Sequence, residues 1–270
     1  MVEIPALAAR LRSVVALAGL YPLLAGVDLD VGPGQILVVK GANGAGKTSL
    51  LRVMAGLLPP AAGEATVLGL EPTSQARELR RQVGLLGHRN GLYDDLSAEE
   101  NVRFCVRAAR LPKVAAPLAL DRLGINGRLR RLPVGKLSAG QRRRVAIACL
   151  VARQPRLWLL DEPHAGLDAE NRQLLDCLLR EVVSAGATVV LASHEASVTE
   201  SLADRVVTMS GGTVLDGVLG LDGATGLDGT AGLDGTAGLD GAAGGAADVV
   251  DAPEGAARLS TQPEEITSVA

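Results

Sequence analysis

Ile36 to Leu51 reads ILVVKGANGAGKTSLL. The apolar run Ile36–Val39 reads as a buried strand. A loop of small residues follows, and then a segment of good helix formers. Gly41, Gly46, Lys47 and Thr48 fall at the spacing G-x-x-x-x-G-K-[ST] between that strand and that helix. Glycines there let backbone N–H groups curl around phosphates, and the helix N-terminus adds positive potential. The stretch therefore predicts a nucleotide loop of Gly41, Asn43, Gly44, Ala45, Gly46, Lys47, Thr48 and Ser49. Lys47 is expected to reach the β- and γ-phosphates, and Thr48 to ligate Mg²⁺.

Such a loop needs a carboxylate on a neighbouring strand. LWLLDEP, residues 157–163, supplies one. Its apolar run predicts a buried parallel strand ending at Asp161, which is expected to hold the Mg²⁺ shell. Glu162 then stands where it can orient and polarise an attacking water.

Outward from these anchors, Val27, Leu29 and Val31 alternate as in a half-buried strand, and Pro33-Gly34 makes a turn. Pro59-Pro60 ends the helix after the loop. GEATVLGL is a further strand, so residues near 8–40 and 63–70 are expected to share a small antiparallel sheet. A helix over 76–82 leads into VGLLGH, a strand entering a loop. Ser97 and Glu100 have capping-box spacing before a helix over 98–110, and Ser138 and Gln141 repeat it before 139–153. Residues 115–132 read as helical and basic, 169–185 as a helix, and ATVVLAS, 187–193, as another buried strand. Strands alternating with helices predict an α/β fold with a parallel sheet. The three adjacent arginines 142–144 spread around a helix and are expected to form a solvated basic face.

Composition narrows the alternatives. The 270 residues are 47% hydrophobic but 1% aromatic, so the core has to be aliphatic. Net charge is −3, which argues against a general nucleic-acid coat. The charge is uneven: ten of the thirty acidic residues, but one basic residue, lie in 211–270, leaving about +6 in the body and −9 in the tail. Glycine recurs at every third position from Gly217 to Gly244, largely as GLDGTA units. The repeat holds no Pro, so a collagen helix is poorly supported, and residues 216–270 are expected to be a disordered, acidic, low-complexity tail. Cys105, Cys149 and Cys177 are odd in number and form no CxxC, which suits a reduced cytoplasmic protein. No segment is long and apolar enough to span a bilayer, and MVEIPALAAR is not a secretory signal. Membrane contact is thus expected only through partners.

With LSAGQ at 137–141, AGLD at 165–168 and Ser193-His194, five elements stand in one order. The chain resembles the ATP-binding subunits of ABC transporters over about residues 8–215. LSAGQ looks like their LSGGQ signature, AGLD like their D-loop, and His194 like their switch histidine. The resemblance implies a P-loop core, a small antiparallel β subdomain and an inserted helical subdomain at about 88–153, together an ATP-binding domain over 1–215. It implies a head-to-tail homodimer with two ATP at the interface. Ser138, Gly140 and Gln141 of one chain would face the γ-phosphate held by the other, Asp168 would carry contacts across the dimer, and His194 would contact the γ-phosphate.

Two positions depart from the family pattern. His88 stands where most members have a Gln that contacts Mg²⁺ and the membrane partner; either the imidazole keeps that contact or the contact is lost. The adenine-stacking aromatic usually falls near Ala18, and Tyr21 either substitutes for it or packs the small sheet. His88, the segment LSAEEN at 96–101, LSAGQRRRVA and LWLLDEP are similar to the haem exporter ATPases of cytochrome c biogenesis. That resemblance implies a peripheral subunit on the cytoplasmic face of the cell membrane, coupled to CcmB- and CcmC-like permeases and binding no nucleic acid. The alternatives are an ATPase of another exporter, for a drug, lipid or other small molecule, and then a non-transport ABC ATPase.

Overall fold

The computed structural model describes residues 7–195 and 202–215. The GLDGTA repeats and everything else from residue 216 lie outside those residues. Strands β1 (Ala9–Ala18), β2 (Tyr21–Val31) and β4 (Ala62–Val67) form a three-stranded antiparallel sheet in the order β2-β1-β4. A second sheet runs β5 (Val83–Leu86), β6 (Leu157–Asp161), β7 (Thr188–Ala192), β3 (Ile36–Lys40), β8 (Arg205–Ser210) and β9 (Thr213–Leu215). All its pairings are parallel except β8 with β9. Ile36–Lys40, expected to share the small sheet, belongs instead to this parallel one. The reason is burial: β3, β6 and β7 are covered on both faces, which suits the interior of a parallel sheet. Strands β8 and β9 went unread in the sequence.

The pleat divides the core in two. Ile36, Val38, Trp158, Leu160, Val189 and Leu191 face one cluster, built with α3 (Ala98–Ala108), α4 (Ala115–Arg122), α6 (Ala139–Arg153) and α7 (Ala169–Ser184). Leu37, Val39, Leu157, Leu159, Val190 and Ala192 face the other, which includes α1 (Lys47–Met54) and the small sheet. This period of two is what a strand imposes. Trp158 is the one aromatic ring among the fully buried side chains. Aliphatics supply the rest, each fully buried Leu or Val contributing about 1.5–3 kcal/mol.

Both capping boxes are present. Ser97 Oγ accepts from the Glu100 N–H at 3.2 Å while the Ser97 N–H donates to Glu100 Oε2 at 2.8 Å. Ser138 Oγ and the Gln141 N–H stand 3.2 Å apart, with the return bond to Gln141 Oε1 at 3.0 Å. Buried Asn101 ties the loop before α3, its amide reaching Tyr93, Leu96 and Ser97 backbone oxygens. The helical stretch expected over 115–132 consists of two helices, α4 and α5 (Arg128–Arg131). Gly124, at φ 64°, takes the left-handed turn after α4, and the Ile125 N–H closes back on the Leu120 carbonyl at 2.9 Å. Helix α2 (Ala76–Gln82) feeds β5 directly. Among the described residues, no helix is long and apolar enough to cross a membrane.

Candidate nucleotide site

Because β3, β5, β6 and β7 are parallel, their C-terminal ends open on one edge of the sheet, where α/β folds bind ligands. The glycine loop leaves β3, the segment Gly87-His88 leaves β5, Asp161-Glu162 ends β6, and Ser193-His194 follows β7. Helix α1 starts at Lys47, so the N–H groups of its first turn have no acceptor inside the helix. Lys47 is buried, and its Nζ donates to the carbonyls of Gly41 (2.7 Å) and Ala42 (3.1 Å). The loop is braced from behind, where the Gly212 N–H donates to the Ala45 carbonyl at 3.1 Å. A cavity of about 310 Å³ opens between residues 43–49, Pro22, Leu23, His88, Asp161 and Glu162. A larger cleft of about 520 Å³ at Pro33, Gly186 and Thr188 has two arginines but no carboxylate, so size does not select the site.

Thr48 Oγ1 donates to Asp161 Oδ2 at 2.7 Å, and Asp161 is buried. Glu162 has φ 47°, a left-handed conformation costing about 1–2 kcal/mol for a residue with a side chain. Its backbone is held on both sides: the N–H donates to the Ala192 carbonyl (2.9 Å), and the carbonyl accepts from Arg143 Nη2 (2.8 Å). The Glu162 carboxylate meets His194 Nδ1 at 2.7 Å and, through its second oxygen, the Ser193 hydroxyl at 3.5 Å. With an ionised carboxylate as acceptor, the proton of this hydrogen bond is the one on His194 Nδ1. A carboxylate oriented by an imidazole beside a phosphate loop can accept a proton from water.

The signature segment behaves differently. Ser138, Gly140, Gln141 and Asp168 do not line the cavity. Ser138 and Gln141 are occupied with each other, and Ser138 is exposed. Gly140 packs on the D-loop so closely that a Cβ there would stand 2.6 Å from the Gly166 carbonyl oxygen. Asp168 caps α7; the Asn171 backbone N–H and then its side-chain amide hold the carboxyl below its usual range. Tyr21 is 79% exposed at the start of β2, so it does not pack the small sheet, while its neighbours Pro22 and Leu23 line the cavity. His88 lines the cavity too.

Arg143 corrects the expectation of a solvated basic face, being 5% exposed. Its stripe on α6 continues through buried Ile147 and Leu150, the i, i+4, i+7 signal that could have revealed it. Burial lowers its pKa to about 10, against the charges of Asp161 and Glu162, which raise it.

The donors suit a hard cation: Thr48 and Asp161 offer adjacent oxygens, and Mg²⁺ takes one or two protein oxygens and completes its shell with phosphates and water.

A model of the ABC transporter family matches residues 24–165. Over 192 residues the chain is 42% identical to the cytochrome c biogenesis ATP-binding export protein CcmA of Bordetella bronchiseptica, covering 70% of this chain and 84% of that protein. The CcmA of Nitrosomonas europaea is 37% identical over 186 residues, 68% of this chain and 87% of that one. Among solved structures, the dimeric post-hydrolysis state of the cassette MJ0796 bound to ADP and Pi superposes with a TM-score of 0.71 at 25% identity, over 76% of this chain and 96% of that one. CbiO1 of Clostridium perfringens, part of an ABC transporter complex, gives 0.66 at 27% identity, over 77% and 87%. The chain therefore belongs to the ABC transporter family, as one of its ATP-hydrolysing members.

Proposed function

We propose that this chain is the ATPase subunit of a membrane complex that drives haem export or handling in cytochrome c biogenesis. The observation that carries the reading is the likeness to CcmA proteins over most of their length. In this reading the loop 41–49 and the start of α1 bind the ATP phosphates, with Lys47 turning its ammonium from loop carbonyls to phosphate. Thr48 and Asp161 hold Mg²⁺, which when bound neutralises charge on the phosphates. His88 stands beside them as a further ligand or acceptor. Glu162 takes the proton of the attacking water, and His194 keeps its carboxylate aimed. Tyr21 stacks on adenine from the rim.

Ser138, Gly140, Gln141 and Asp168 act on the nucleotide of a second copy, so the working unit is a homodimer. It is peripheral to the cytoplasmic face of the cell membrane and reaches the bilayer through CcmB- and CcmC-like permeases. Residues 1–215 form the ATP-binding domain, with its helical subdomain at about 88–153, and 216–270 an appended tail.

The test is affinity purification of the full-length Glu162→Gln protein with Mg-ATP in mild detergent, with mass spectrometry and a haem absorption spectrum. Multi-pass partners with haem are expected. Multi-pass partners without haem would move the reading to another exporter. DNA or ribosomes alone would overturn a transport role.

A further inference from the structure

We propose that Arg143 is a positioning residue that locks Glu162 and the segment carrying His88 to the signature helix. The inference rests on the reading of Asp161-Glu162 as the hydrolytic pair. A guanidinium has five N–H groups, and here five acceptors surround it. Nη1 donates to the Gly87 carbonyl at 2.8 Å and to Asn90 Oδ1 at 3.0 Å. Nη2 donates to the Asp161 carbonyl at 2.6 Å and to the Glu162 carbonyl at 2.8 Å. Nε reaches the Pro163 carbonyl at 3.4 Å. Four of the five acceptors are backbone oxygens, so what Arg143 fixes is where the chain runs.

Three parts of the molecule meet on this one side chain. It rises from α6, whose first turn holds Ser138, Gly140 and Gln141. It grips the ends of β5 and β6 together, and both His88 and Glu162 face the nucleotide cavity from those ends. Glu162 needs such a grip because its backbone is left-handed, and such residues persist only where the surroundings over-determine them. The Ala192 carbonyl holds one side of that peptide and Arg143 the other. The guanidinium touches neither carboxylate oxygen in the described contacts; it acts through the backbone, which is why it is a positioning and not a catalytic residue. Lysine cannot replace it. An ammonium is a point donor with three N–H groups and cannot span acceptors on two strand ends.

The experiment compares full-length Arg143→Ala, Arg143→Lys and Glu162→Gln with the natural chain, measuring kcat, KM for ATP and melting temperature. Arg143→Ala should lose about 100-fold in kcat, the scale of a small misplacement of a reacting group, with KM within about threefold. Arg143→Lys, which keeps the charge, should recover only a minor part. Guanidinium ion at low millimolar concentration should raise kcat of Arg143→Ala and leave Glu162→Gln unchanged. The proposal fails if Arg143→Ala keeps its kcat or loses only KM. It fails equally if kcat and melting temperature collapse together without guanidinium rescue in a chain that still folds. If Arg143→Ala does not fold, Arg143→Lys decides: wild-type kcat in that variant overturns the proposal. Full activity in Glu162→Gln would instead sink the reading of the hydrolytic site, whatever Arg143 does.

Discussion

The end of β6 and the start of α6 are both polar, both close to Arg143, and built in opposite ways. At the end of β6 the side chains converge: Thr48 on Asp161, His194 on Glu162, and all of them at the mouths of parallel strands. At the start of α6 the side chains of Ser138 and Gln141 satisfy each other's backbone groups in a capping box. The first region is a site within one chain. The second has the form of half a site, an exposed helix N-terminus whose ligand would come from outside. The difference fits the proposed division of labour, in which one chain assembles the hydrolytic groups and a second copy completes the site.

The strongest way to break the first region is Glu162→Gln. Removing a general base is worth about 10²–10⁴ in rate, so kcat should fall by that much while ATP binding persists. Steady-state kinetics and nucleotide binding check it, and a dimer that persists on a sizing column with Mg-ATP is the accompanying expectation. Lys47→Ala attacks substrate binding instead. Loss of a charged hydrogen-bond donor, about 1.5–3 kcal/mol, should weaken ATP binding about 10- to 100-fold, as measured with a fluorescent nucleotide.

The division of labour is sharpened by mixing two dead chains. Lys47→Ala spoils the phosphate loop and Ser138→Arg blocks the signature. If the sites are shared across a two-fold dimer, a mixed dimer carries both defects in one site and none in the other. Co-refolded mixtures should then recover roughly a quarter of wild-type turnover, the statistical share of intact sites. No recovery on mixing would argue that each chain works alone or that one damaged site silences both.

How much of this was legible in the sequence follows the same divide. The strand–loop–helix around Gly41–Thr48, the strand ending at Asp161 and both capping boxes could be read because each is a local pattern with a local cause. The sheet that Ile36–Lys40 joins is not legible locally, because its strand partners lie far along the chain, at 189–192 and 205–208. Gly124 was overlooked inside a helical pattern, though a left-handed glycine is a common helix stop. Arg143 was missed because three adjacent arginines look like surface charge. Only the depth of α6, packed on several sides, turns one of them inward. The pairing of His194 with Glu162 has no local signal at all, since it needs β6 and β7 side by side.

The smallest effect distinguishes the two capping boxes. Ser138→Ala removes an N-cap, which costs about 1 kcal/mol, and Ser97→Ala should lower the melting temperature similarly. Only Ser138→Ala should also slow ATP turnover, because only that helix start is expected to face a nucleotide. Their pH dependence should differ as well. The Ser97 side chain, and then its backbone N–H, hold the Glu100 carboxyl below its usual range. A depressed carboxylate stabilises the fold at pH above its unfolded pKa, and that contribution is lost as pH falls through the folded value. The penalty of Ser97→Ala should therefore shrink only as pH falls below the ordinary Glu pKa of about 4.3. Gln141 does not ionise, so the penalty of Ser138→Ala should stay level over the same range. Melting curves of both variants at neutral and acidic pH check this, and equal shrinkage in both would mean that the caps act through something other than these two partners.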